Sequence, residues 1–195
     1  GFGMHIFSQA PVGQIAISSG AVYPAADYYK LTVSGISSHG AEPQKGVDAT
    51  VAAAAIVMNL QTISSREFSP LEPVVVTVGT LHSGQRFNVI SNYAELEGTV
   101  RLFDEDLHQQ IPGMMSRIAE HTAEAFRCKA ELDYQFKSEI LENDPALTEL
   151  VVNAAGELGY AEMVAPAART MGGEDFSAYT HIVPCAFAGL GGGGE

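Results

Sequence analysis

Apolar and polar residues alternate from the twenty-seventh position, with Tyr29, Leu31 and Val33 set against Tyr28, Lys30, Thr32 and Ser34. A period of two predicts a strand with one buried face. A loop over 36–46 follows, and then a helix over 48–66, where Ile56, Leu60 and Ile63 share a face and the run of alanines at 52–55 favours helix strongly. The β-branched run at 74–81 and the alternation at 93–102 predict two more strands, joined by a hairpin-like loop over 84–92. Leu107, Ile111, Met114, Met115, Ile118 and Thr122 mark a second helix. Its Pro112-Gly113 pair predicts either that the regular helix begins at Pro112 or that it is kinked there. Residues 128–137 close the set as a strand with Ala130, Leu132, Tyr134 and Phe136 on one face.

Strand, helix, strand, strand, helix, strand is the order of the ferredoxin-like split arrangement, an α/β sandwich of two layers. The flanks follow another pattern. Residues 1–26 alternate short apolar runs with Gly, Pro and Ser and contain a predicted strand at 14–18, while a helix at 145–158, a loop at 170–176 and a strand at 185–190 follow the sandwich. The ferredoxin-like domain at 27–137 therefore reads as an insertion into a larger α/β domain, whose parts are 1–26 and 138–195. The glycines at 191–194 form the one low-complexity stretch and are expected to be mobile.

Composition narrows the partners. Ten Lys plus Arg against 23 Asp plus Glu give a formal charge of −13, which repels a phosphate backbone and an anionic bilayer, so neither nucleic acid nor membrane is expected. Cys128 and Cys185 stand far apart with no His or Cys at ligand spacing, so no disulfide framework or zinc knuckle is indicated and a reducing cytoplasm fits best.

Among the six histidines, His108 and His121 lie on the acidic second helix and are expected to be solvated, and nothing at ligand spacing supports His181. His5 ends a short apolar run, where the carboxyl edge of a strand can present a side chain into an α/β cleft. His39 sits among small residues in the loop between the first strand and helix of the sandwich. In the split topology that loop and the 84–92 hairpin emerge at one end, so His39 and Asn88 are expected to be neighbours, a polar pair able to hydrogen-bond a carbonyl oxygen or oxyanion. The alternative is that Asn88 caps the turn and His39 is merely exposed. In Gly172-Gly173-Glu174-Asp175-Phe176, backbone amides can bind an anion and the two carboxylates can orient a cation or a histidine; equally, Asp175 can cap the helix that follows.

At these residues the chain resembles the aminoacylase, hippurate hydrolase and auxin-conjugate amidohydrolase group of dinuclear metallopeptidases. The likeness runs through Gly3-Met4-His5 with Pro11-Val12-Gly13, Ser38-His39-Gly40-Ala41-Glu42-Pro43 with Gly46-Val47-Asp48, Val76-Thr77-Val78-Gly79, Phe87-Asn88-Val89-Ile90, Glu97-Gly98-Thr99-Val100-Arg101 and Met171-Gly172-Gly173-Glu174-Asp175-Phe176. It implies a zinc-peptidase-like α/β domain carrying a ferredoxin-like lid through which the protein forms a homodimer. It further implies two divalent ions, zinc by family habit with manganese, cobalt or nickel as alternatives, and hydrolysis of an N-acyl amino acid or small peptide-like substrate.

By that resemblance His5 binds metal, His39 polarises the scissile carbonyl, and Asn88 and Arg101 hold the substrate carboxylate, with Gly172, Gly173 and Glu174 also lining the substrate. Arg101 follows Asn88 by thirteen residues, and an extended segment of that length would hold them far apart, so the two are expected to meet only across a dimer. The family's paired acidic residues have no counterpart before Phe2 and its last histidine ligand would fall beyond Glu195. The chain is therefore expected to be a carboxy-terminal segment, inactive alone, that supplies the lid and part of the site. The competing reading is a non-catalytic dimerisation module or a split-enzyme subunit.

Overall fold

The structure, a computed structural model, describes residues 1–193. In chain order its elements are β1 (Phe2–Pro11), β2 (Ile15–Ala16), β3 (Gly20–Tyr23), β4 (Ala25–Ser34), β5 (Ser38–His39), α1 (Ala49–Thr62), β6 (Val74–Ser83), β7 (Val89–Ile90), β8 (Tyr93–Leu102), α2 (Glu105–Ala125), β9 (Lys129–Ser138), β10 (Leu141–Asn143), α3 (Pro145–Glu157), β11 (Val164–Ala165), α4 (Ser177–Thr180) and β12 (Ala186–Gly193). They fall into two compact units, Ala26–Lys137 and the remainder, Gly1–Ala25 with the described residues from Ser138 onward.

In the first unit the sheet order is β6-β8-β4-β9. The first and third strands of the βαββαβ unit lie in the middle and the second and fourth at the edges, as the ferredoxin-like split requires. Strand β4 buries Tyr29, Leu31 and Val33 completely, and they join Ile56 and Leu60 of the first helix, Ile63 just past its end, and Ile111 and Met115 of the second helix in one continuous core. Each such side chain contributes about 1.5–3 kcal/mol on burial. Asp48 starts α1 by accepting from the backbone N–H groups of Thr50 (2.9 Å) and Val51 (3.2 Å), which satisfies donors that a helix start otherwise leaves open. Past Thr62 the helix loosens into a π-turn over Ile63–Glu67.

Helix α2 runs through Pro112 from a true start at Glu105, where the Asp104 side chain accepts from Leu107 N at 2.9 Å. The alternative in which the regular helix begins at Pro112 is thereby corrected: the aspartate cap and the buried stripe on either side hold the first turns in place although proline removes one donor.

His108 is also corrected. It is buried, 1 % exposed, rather than solvated. It shares the stripe of Ile111, Met115, Ile118 and Thr122, whose three- and four-residue spacing defines the inward face. Its Nε2 lies 2.6 Å from Asp27 Oδ2, which also accepts from the Tyr134 hydroxyl at 2.8 Å, while Asp27 Oδ1 accepts from Lys137 N at 3.0 Å. Asp27 thus ties the start of β4 to α2 and to the far end of β9. Burial alone would lower the His108 pKa, but the hydrogen bond and charge of Asp27, with Glu105 beside it, raise it instead.

The second unit has less core. Its sheet order is β1-β12-β2-β11, with β1 parallel to β12, β12 antiparallel to β2 and β2 parallel to β11; β10 and β3 form a separate antiparallel pair. One cluster centres on Ile17, Ala186 and Ala188 with Leu147 and Val151 of α3 against it, and another on Val22, Leu141 and Phe187. Asn143 is buried and fastens the unit: its amide donates to Ser18 O (2.8 Å) and Phe187 O (2.9 Å), and its carbonyl accepts from Phe187 N (2.7 Å).

Two expectations for this unit change. The strand predicted at 14–18 is reduced to Ile15–Ala16. Gly191 to Gly193 belong to β12 rather than to a mobile tail, because the chain there runs so close to the carbonyls of Pro11 and Ser8 that no Cβ fits; Gly194 lies outside the described residues. No helix among the described residues is long and apolar enough to cross a membrane.

Candidate functional site

His39 and Asn88 are brought together by a two-residue ladder. Ser38 pairs with Ile90 and His39 with Val89, Gly40 N donates to Asn88 O at 2.8 Å, and Ser37 Oγ donates to Ile90 O at 2.9 Å. Both predicted loops thus contain a short strand, β5 and β7, too brief for periodicity to reveal. The turn before β7 closes through Val89 N to Arg86 O (3.3 Å). His39 and Asn88 are exposed.

The imidazole of His39 is oriented by its own loop. Ala41 N donates to His39 Nδ1 at 3.1 Å, so Nδ1 is the acceptor and the neutral ring carries its proton on Nε2. An outward N–H is the group needed to donate to a carbonyl oxygen that gains negative charge.

Arg101 sits elsewhere in this unit. It pairs with Val75 near one end of β8, whereas Ala94, at the end of the strand that follows the β7 turn, pairs with Ser83. A single chain does not bring Arg101 to Asn88.

In the other unit His5 stands in the middle of β1, opposite Gly189, and not at the carboxyl edge of a strand. The apolar run is only the first half of a strand that parallel pairing with β12 extends to Pro11. His5 Nδ1 lies 2.8 Å from Glu174 Oε2, with the histidine side chain 54 % exposed and the glutamate 11 %. A carboxylate on Nδ1 fixes the tautomer and leaves the Nε2 lone pair as the atom that can bind a cation. Glu174 also accepts weakly from Phe176 N (3.4 Å), and its carbonyl and that of Asp175 start the short α4. Glu174, expected both to line the substrate and to be able to orient a histidine, lies against His5; Gly172 N is turned onto Thr170 Oγ1 at 3.2 Å.

Two cavities adjoin the His5–Glu174 pair. One, of about 470 Å³, is lined by Gly3, Asp175, Phe176 and Tyr179 among others; the second, of about 410 Å³, lies toward Phe7, Tyr23 and Ala167. Burial and the charge of Glu174 push the Tyr23 phenol up to about 12, so it stays a protonated donor near neutral pH.

As to a metal centre, the described residues contain no group of three or more His, Cys, Asp or Glu side chains able to hold a cation. The donor set present fits one histidine ligand with its orienting carboxylate, not a complete centre.

Sequence reasoning missed Asp27, Asn143 and Tyr23. The spacing from His108 to Ile111, Met115 and Ile118 was a signal for the first, since a polar residue on an inward stripe needs a buried partner; nothing local marks the other two.

Comparison with known proteins bears on the family and the fold. A model of the peptidase dimerisation domain matches residues 26–127. The chain is 33% identical over 190 residues to an N-acetylcysteine deacetylase of Bacillus subtilis, covering 97% of this chain and 50% of that protein. It is 30% identical to the IAA-amino acid hydrolase ILR1-like 4 of Arabidopsis thaliana, over 97% of this chain and 44% of that one. Among solved structures, the Bacillus subtilis YXEP protein, a dinuclear metal binding peptidase, superposes with a TM-score of 0.82 at 30% identity, over 100% of this chain and 48% of the other. The chain spans about half the length of the curated relatives it matches.

Proposed function

The chain belongs to the M20 peptidase family, whose dimerisation domain it carries, and on that premise we propose that the intact protein hydrolyses the amide bond of N-acyl amino acids or small peptide-like molecules. The relatives are deacetylases and amidohydrolases, so hydrolysis of an amide is the family-level activity. The observation that carries the reading furthest is His39 itself: Ala41 N donates to its Nδ1, which leaves the ring proton on Nε2, and the β5–β7 bridge sets the residue beside Asn88.

In this reading His39 donates to the scissile carbonyl as its oxygen gains charge, an interaction strongest in the transition state. Asn88 donates its amide to the substrate carboxylate. Arg101 grips that carboxylate as a bidentate clamp; since one chain keeps it away from Asn88, it serves a site completed by a second copy, through a homodimer formed by the lid. Gly172 and Gly173 line the substrate with backbone. His5 offers Nε2 to one of two divalent ions, with zinc the first choice, and Glu174 holds the ring in the tautomer that frees that atom. Bound in the intact protein, such ions would supply an activated water and would polarise the carbonyl.

The test is turnover of N-acetyl, N-benzoyl and dipeptide substrates by the purified intact protein, before and after chelation and after return of zinc, manganese, cobalt or nickel. The reading expects turnover that chelation abolishes and a divalent ion restores. An intact, metal-supplied protein that cleaves none of them overturns it and leaves a dimerisation module.

A further inference from the structure

The ladder between β6 and β8 ends at the pair Ser83 and Ala94, and the segment between them carries Asn88. Hairpin loops usually have about two to five residues, so this longer one needs fastening of its own if Asn88 is to hold one place. Its outgoing arm turns away at Gly84, whose φ of +82° is a conformation open to glycine. Its returning arm is stitched to the His39 loop by backbone. Gly40 N donates to Asn88 O at 2.8 Å, Ala49 N to Ser91 O at 3.0 Å, and Gly35 N to Asn92 O at 2.8 Å.

One side chain joins the two arms. Where backbone pairing stops, the Ser91 hydroxyl takes over: Gly84 N and Tyr93 N each donate to Ser91 Oγ at 3.2 Å, and Ser91 Oγ donates to Tyr93 O at 2.7 Å. A hydroxyl offers one donor and two acceptor sites, so its whole capacity is spent on the backbone. Tyr93 O also accepts from Ser83 Oγ at 2.8 Å, and Ser83 Oγ lies 2.7 Å from Thr50 Oγ1 in the first turn of α1. Gly84 is thereby tied to the arm that the His39 loop already holds.

We propose that Ser91 is a positioning residue: its hydroxyl joins the two arms of the hairpin and so holds the Asn88 amide where it meets the substrate carboxylate. The inference rests on the amide-hydrolase reading above and adds a residue to its site. Ser91 acts through Asn88, by setting how much of the time that amide stands ready. An arm in place about a tenth of the time weakens apparent binding about tenfold. Lost ground-state binding raises KM and leaves kcat alone.

The experiment measures kcat and KM of the intact protein for an N-acyl amino acid, in the native form and as Ser91→Ala, Ser91→Thr, Asn88→Ala and the Ser91→Ala/Asn88→Ala double variant. Ser91 lies outside the core of its unit, so thermal unfolding of Ser91→Ala should match the parent. Its KM should rise about tenfold with kcat within a factor of about two, and Ser91→Thr, which keeps a hydroxyl, should recover most of the loss. The double variant should bind no worse than Asn88→Ala, because residues that act as one unit do not add. An unchanged KM in Ser91→Ala, a fall in kcat without a rise in KM, or full addition in the double variant overturns the proposal. In a protein that cleaves no amide the hydrolase reading is lost, and calorimetric titration with acetylglycine then decides the positioning role. Binding about tenfold weaker in Ser91→Ala keeps it; equal or absent binding overturns it.

Discussion

The two compact units differ in how they are held together. Ala26–Lys137 has one continuous core and a buried polar hub in which Asp27 Oδ2 serves both His108 and Tyr134 while Oδ1 serves a backbone N–H. The other unit relies on two clusters of three buried side chains each among the described residues, fastened by Asn143. It also leaves Phe2, Met4 and Ile6 of β1 more than half exposed at an edge of its sheet. The lid thus has the larger core to support the β5–β7 bridge at His39 and Asn88, whereas the unit that carries His5 has the smaller core among the described residues.

The sharpest way to break that contrast is Asp27→Ala. It strands a buried imidazole and a half-buried phenol, and should cost the lid about 3–5 kcal/mol. Hydrogen exchange followed by region should show protection lost over Ala26–Lys137; unchanged lid protection would mean that the hub is not what fastens it. Asn143→Ala should cost about 1–3 kcal/mol by leaving the Phe187 backbone unpaired, with faster exchange confined to the other unit. An equal loss in the lid would erase the distinction.

A smaller effect separates the units by pH. Because the folded-state pKa of His108 is raised above its unfolded value, its contribution to lid stability is fully present below the unfolded pKa. That contribution is lost as pH rises through the folded one. The midpoint of lid unfolding should therefore fall on going from mildly acidic to alkaline pH, and His108→Phe should flatten that slope; a slope unchanged in the variant would remove His108 as its source. Smallest of all, Lys45→Ala breaks only a surface pair with Glu42 whose partners are 63% and 47% exposed, and should shift thermal unfolding by no more than about 0.5 kcal/mol.

The same contrast explains what could be read in advance. The lid's four main strands, β4, β6, β8 and β9, and its two helices repeat their pattern over ten residues or more, so the alternation at 93–102 gave β8 directly, and element order alone led to the split sandwich. In the flanking unit β2, β3, β10 and β11 have four residues or fewer, too few for periodicity, and they exist because a distant segment pairs with them. The glycines of β12 read as a flexible tail, yet they are there because β1 runs too close for side chains. At the candidate site, topology placed His39 beside Asn88, but the bond from Ala41 N that orients the ring is a detail of three-dimensional geometry. The contact between His5 and Glu174 spans 169 positions, and no local pattern encodes it.

The central claim is that a rigid lid presents His39 to an amide carbonyl. Its most direct test is the rate of N-acyl amino acid hydrolysis by the intact protein and its His39→Ala variant, measured alongside thermal unfolding of both. Loss of an oriented oxyanion donor predicts a fall of about 10²–10³ in kcat with the unfolding curve unmoved, since His39 is exposed and outside the core. A variant that keeps kcat within a factor of about two of the parent, or that loses rate only in step with its fold, would contradict the account.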